Sequence, residues 1–256
     1  MQMSKRILGA ALAGWALLAS GSALALGSEC GDPFHNATGP FDYRFPEGKM
    51  LGMVEHRHYT EDIRSLRRGT TGALAGDLAY TLRVFPNHYR ALQTMSEWSF
   101  KTKSKKPEGQ PYVVECWFER GLHYAPDDPM VKLVYGIHLI KSGRPQDAVK
   151  QLEAAIAEDP NNASSYYNLG LAYADMKNYD KALPNAHRAY DLGFPLPGLR
   201  QRLVKAGVWR EPEPAVPAHE HAPAGAADAE APAANPAAVE TPAAGTPAAE
   251  TPASSQ

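Results

Sequence analysis

The sequence is short of bases at one end and short of cysteines throughout. From Glu211 to Gln256 there is not one Lys or Arg, while 17 of those 46 residues are Ala and nine are Pro. Small side chains offer little apolar area to bury, and recurrent proline blocks helix continuation. The composition therefore excludes a packed core and predicts a disordered, partly polyproline-II tail over 211–256. Seven acidic residues leave the tail at −7, and residues 26–210 then carry about +3. No segment has the dense positive face that nucleic-acid binding requires. A long hydrophobic run is also missing. The best candidate, Ile7 to Leu18, is too short and too interrupted for a comfortable membrane span; it follows Lys5 and Arg6 and precedes Ala23-Leu24-Ala25. That order of charge, apolar stretch and small residues reads as a secretory signal over 1–25.

Signatures of catalysis are absent as well. There is no Gly-rich phosphate loop, no Gly-x-Ser-x-Gly, no His-Glu-x-x-His and no Cys-x-x-Cys, so neither an enzyme nor a cofactor is expected. Only Cys30 and Cys116 exist. In an exported chain an even pair is most simply a disulfide, against two free thiols or a shared metal. His56-Arg-His58 and His219-Glu-His221 are the close histidine pairs. In an extended segment both rings of such a pair face one side, yet no third ligand follows at a diagnostic spacing, so no metal site is assigned. Lys101, Lys103, Lys105 and Lys106 form a charge run whose default state is a solvated loop.

A beat runs through what remains. Pro86, Pro126 and Pro160 are each followed ten positions later by a small residue: Ser96, Gly136 and Gly170. The last two blocks superimpose with a shift of 34, placing Ala148 on Ala182 and Ala155 on Ala189. A period of about 34 with small residues at helix crossings resembles the tetratricopeptide repeat (TPR). The block with Leu169-Gly170, Tyr173 and Ala182 resembles a TPR unit closely. Helices are expected over Pro129–Ser142 and Gln146–Glu158, and upstream over Asn87–Phe100 and Tyr112–Tyr124. The interval from Pro86 to Pro126 is 40, and its extra residues fit a long exposed loop from Lys101 to Gln110. Helices from Thr60 to Arg68 and Gly72 to Phe85 make a degenerate hairpin before these, and Gly198 to Ala206 a terminal cap. Pro184 should distort the second helix of the last repeat without ending it.

Cys30-Gly31, Gly39-Pro-Phe-Asp-Tyr-Arg44, Asp77-Leu-Ala-Tyr-Thr-Leu-Arg-Val-Phe-Pro-Asn-His88, Glu115-Cys-Trp-Phe118 and Leu192-Gly-Phe-Pro-Leu-Pro-Gly198 resemble a group of exported bacterial TPR proteins. That resemblance implies a fold and a Gram-negative-like periplasm, but no activity. The expected fold is all-α: a stack of about three or four antiparallel helix hairpins with a capping helix. The expected divisions are a signal at 1–25, an irregular segment at 26–58, the repeats at 59–210 and the tail at 211–256.

Resemblance to TPR peptide binders puts ligand contacts on the concave side, at Met130, Leu133, Ile137, Tyr167, Asn168, Leu171 and Asp175. Asn168 occupies the place where such repeats hold a ligand backbone; it can equally make a helix-to-helix hydrogen bond. The leading expectation is an adaptor that binds an extended segment of another envelope protein, with no membrane span after signal cleavage. The alternative is an exported metal- or small-ligand-binding protein that uses the N-terminal aromatic and histidine-rich region.

Overall fold

A computed structural model describes residues 28–46 and 48–211; the expected signal, the tail beyond Glu211 and the His219/His221 pair lie outside them. The described chain is helical. A 3-10 turn, Ser28–Cys30, precedes α1 (Met50–His58), α2 (Glu61–Arg64), α3 (Leu74–Val84), α4 (Tyr89–Thr102), α5 (Val114–Tyr124), α6 (Pro129–Lys141), α7 (Pro145–Glu158), α8 (Ala163–Asp175), α9 (Tyr179–Asp191) and α10 (Gly198–Lys205). Among the described residues no helix is long and apolar enough to cross a membrane.

The proline beat works as punctuation. Helices α3, α5 and α7 each stop two residues before Pro86, Pro126 and Pro160, because the residue preceding proline is driven out of helical conformation. Two residues after each proline stands the next N-cap. His88 Nδ1 accepts from Ala91 N–H, Asp128 Oδ1 from Met130 and Val131 N–H, and Asn162 Oδ1 from Ser165 N–H. Such caps satisfy amides that the first turn leaves without partners, each typically contributing about 1 kcal/mol. The first helices of the hairpins end with a second common device. Lys103, Gly143 and Lys177 all take left-handed φ values of 52–73°, which reverse the chain at the same point of each hairpin.

Close packing follows the small residues. A Cβ on Gly136 would lie 2.6 Å from Leu152 Cγ, so α6 and α7 meet where glycine stands. On Gly170 it would lie 2.5 Å from Leu199 Cδ2 of the cap and 3.4 Å from the Ala182 carbonyl of α9. Ala148, Ala155, Ala182 and Ala189 are fully buried along the facing helices. Both α6–α7 and α8–α9 are tight hairpins with three-residue connections, Ser142–Arg144 and Met176–Asn178. Leu199 and Leu203 of α10 are wholly buried and close the far end. Helix α9 runs on through Pro184, which has no amide hydrogen to donate.

Three expectations change. Part of the segment 26–58 is helical: α1 forms without a capping side chain because Val54 buries itself against Val84 and Phe85. The helix expected from Thr60 is a single turn. Leu66 adopts φ 55°, and Arg67 and Arg68 both fold back onto Asp62. The polar loop begins and ends later than expected and is better anchored than a free insertion. It spans Lys103–Val113, with Gln110 buried and donating to the Ala75 carbonyl.

The N-terminal segment is bolted to the repeats. Asn87, fully buried, accepts from Tyr43 N–H and donates to both Asp42 and Asp128, while Arg44 pairs with Asp42 and Asp127. Tyr43 stacks on His88 with ring centroids 4.0 Å apart. Cys30 and Cys116, 86 positions apart, form a disulfide that ties the first described turn to α5.

Candidate functional site

Hairpin α4–α5 departs from the other two. Its connection has eleven residues where theirs have three, and α4 pairs only loosely with α5. At the crossing position stands Ser96, not glycine; its hydroxyl bonds His138 Nδ1 of α6 at 2.8 Å. The opening left between the ends of α4, α5 and α6 is a cavity of about 810 Å³.

Phe100, Val113 and Val114 give it apolar walls, and the Cys30–Cys116 disulfide lies on its surface. His138 borders it, sandwiched between Phe100 and Phe118 at 5.3 and 5.2 Å between ring centroids. Burial pushes the pKa of this imidazole down to about 4, helped by Arg144 and Lys141 and opposed by Glu115, so the ring is neutral at physiological pH.

The rim carries charge of both signs. Arg144 donates to Glu115 at 2.7 Å and to Asp147 at 2.9 Å, and these two bonds hold its guanidinium pKa above the ordinary value. Tyr135 also donates to Glu115, at 3.3 Å. Glu119, one turn further along α5, is half-buried, and its carboxyl pKa is raised by burial first and then by the like charge of Glu115. Its Oε2 lies 3.3 Å from Cys30 Sγ. Lys103 and Lys105 complete the mouth. Such a lining can grip a peptide or small amphipathic molecule through an apolar centre and mixed polar contacts. Cys30, Cys116 and Glu119 also form the one metal-like trio among the described residues, but sulfurs joined to each other are not thiolate ligands.

The stripe expected to face a peptide is core in this structure. Leu133, Ile137, Tyr167, Asn168 and Leu171 are buried, Met130 is partly so, and Asp175 alone is exposed. Tyr167 stacks on Phe194 at 4.2 Å, and its hydroxyl accepts from Leu199 N–H, so the cap covers it. Asn168 Nδ2 donates to Ser164 O within its own helix, which is neither a ligand contact nor a helix-to-helix bond. Asp175 pairs with Arg202 of the cap. The cause is visible in α8, where every residue from Tyr167 to Ala174 is buried; a helix covered all round has no free face.

The N-terminal histidines do not converge. His56 and His58 lie on α1, where a two-residue step turns by about 200°. His56 is exposed, while His58 bonds Asp77 at 2.8 Å. The surrounding rings, Phe41, Tyr43, Phe85 and His88, pack on one another.

Sequence reasoning passed over His138, Glu119 and Arg144. The signal for them was indirect: a hairpin six residues too long, with serine at the glycine position, cannot close like its neighbours.

Residues 133–193 match the family model described as tetratricopeptide repeat. No curated protein matches the sequence. Among solved structures, the crystal structure of MamA is similar at 18% identity over 53% of this chain and 78% of that one, with a TM-score of 0.41. A MamA variant matches at 16% identity over 46% of this chain, with a TM-score of 0.35; the chain spans 66% of its length. YrrB, a TPR protein with an unusual peptide-binding site, is 23% identical over 52% of this chain and 64% of that one, with a TM-score of 0.39. The two hairpins from α6 to α9 are thus a pair of tetratricopeptide repeats within an all-helical chain.

Proposed function

We propose that this is an exported, non-catalytic scaffold that binds an extended segment of another envelope protein, and that the segment enters the cavity between α4 and α5. The observation that carries this reading is the cavity itself. It occupies the one hairpin of the array that an insertion holds open, and its apolar walls sit inside a rim of Lys103, Lys105, Arg144, Glu115 and Glu119. An extended peptide supplies what such a lining takes: apolar side chains for the centre and alternating polar groups for the rim. The N-terminal charge-apolar-small order and the Cys30–Cys116 bond support an exported protein in an oxidising periplasm.

A photo-activatable cross-linking residue at Val113, exposed on the cavity wall, tests the reading in intact cells. One envelope protein should be captured from position 113 and not from Val204, which is more exposed, on α10. Equal capture at both positions, or none at 113, rejects the cavity as the binding site.

A further inference from the structure

The disulfide is placed unlike a simple staple. Both cysteines are 5% exposed and pack against helices, yet both line the cavity, so the bond borders the space that a solute would enter. Beside Cys30 stands Glu119, a half-buried carboxyl 3.3 Å from Sγ. Its partner in α5, Glu115, has Arg144 and Tyr135; no cation pairs with Glu119 among the described residues. A carboxyl group placed in a cleft without a counter-charge, against a reactive bond, fits a proton acceptor. Cys116, in turn, is the third residue of α5, whose N-cap Val113 offers no side-chain bond to the first-turn amides. A thiolate there lies against the positive end of the helix dipole.

We propose that Cys30–Cys116 is an exchange centre for thiols that enter the cavity. An incoming thiol attacks Cys30 Sγ, its proton passes to the Glu119 carboxylate, and Cys116 leaves as a thiolate at the start of α5. One S–S bond forms as another breaks, no net electrons are gained or lost, and the proton is accounted for at Glu119. The mixed disulfide then resolves in one of two ways. Cys116 attacks Cys30 Sγ and expels the thiol, or a second thiol attacks the thiol's own sulfur and leaves Cys30 and Cys116 reduced. The leaving group is the sulfur better able to carry charge, as fast exchange requires. A low-molecular-weight thiol and a cysteine on a docked protein share this chemistry. The inference needs the cavity but not the peptide reading above.

The test uses the oxidised mature protein with glutathione as the probe, trapping freed thiols with iodoacetamide and locating both labels by mass. Glutathione on Cys30 with alkylated Cys116, at a rate that rises linearly with glutathione concentration, is the expected result. A rate that is independent of glutathione and equal to that of global unfolding overturns the proposal, as does glutathione on Cys116. Glu119→Gln should slow the exchange about tenfold at neutral pH and leave a pH profile set by glutathione alone. Glu119→Asp should restore part of the rate. An unchanged rate and profile in Glu119→Gln overturns the role of Glu119. If that variant fails to fold, the concentration dependence of the unaltered protein still decides whether exchange occurs.

Discussion

Replacing Gly136 with Ala sets two effects of known sign against each other. Alanine is favoured over glycine inside a helix by about 1 kcal/mol. The new methyl carbon, however, would sit 2.6 Å from Cγ and 2.8 Å from Cδ2 of Leu152. Leu152 is wholly buried and Cγ is not a free end, so α6 and α7 must separate or Leu152 must leave its rotamer. Overpacking of this kind costs about 1–3 kcal/mol. The net expectation is a loss of about 0–2 kcal/mol. Gly76, exposed in the first turn of α3, meets nothing within 4 Å and supplies the control. Gly76→Ala should gain about 0.5–1 kcal/mol. At about 2–4 °C per kcal/mol for a domain of this size, the two variants should melt several degrees apart, with Gly136→Ala the lower. Thermal unfolding followed by circular dichroism measures the difference. If Gly136→Ala melts at or above Gly76→Ala, close helix crossing is not why glycine stands there.

Three other perturbations test separate parts of the structure. Replacing both cysteines with Ala releases a loop of 86 residues and should cost about 4–5 kcal/mol on the chain-entropy account, read from urea midpoints. Asn87→Ala removes the amide that donates to Oδ2 of the buried Asp128 and frees Tyr43 N–H, for an expected loss of about 2–4 kcal/mol, which chemical denaturation measures. His138 has a folded pKa lowered to about 4, so below the ordinary value of about 6.5 the unfolded chain binds a proton that the folded chain does not. Stability should therefore fall as pH drops from about 6.5 to 4, by about 3 kcal/mol from this group alone. The fall should be much smaller in His138→Phe, and the ring's NMR signals should not titrate above pH 5.

The repeats were legible because their information is local. Pro126 and Pro160, the caps two residues later, and Gly136 and Gly170 each act on a neighbour within one hairpin, so a period of 34 reports them directly. Helix α1 was not legible: its stripe is weak, and what makes it helical is burial of Val54 against Phe85, a contact from another part of the chain. The expected ligand stripe failed for a related reason. Position along α8 told which residues share a face, but not that Phe194 and Leu199 would cover that face. The cavity was half visible, as an interval of 40 in place of 34. That the extra residues would hold α4 away from α5, with His138 and Glu119 at the opening, depended on packing that no spacing reports.

The bond between residues 30 and 116 also bears on the order in which the chain acquires its structure. The hairpins α6–α7 and α8–α9 need contacts only between close neighbours, whereas the first described turns rely on partners far along the chain: 44 positions from Tyr43 to Asn87, 83 from Arg44 to Asp127, 86 between the sulfurs. Local contacts form early and distant ones late. The part synthesised first should thus be the last to settle, and Cys30 should stay a free thiol until the repeats give it a surface to land on. Thiol trapping at successive refolding times, set beside amide protection of α6 to α9, would show the helices protected before the sulfurs join.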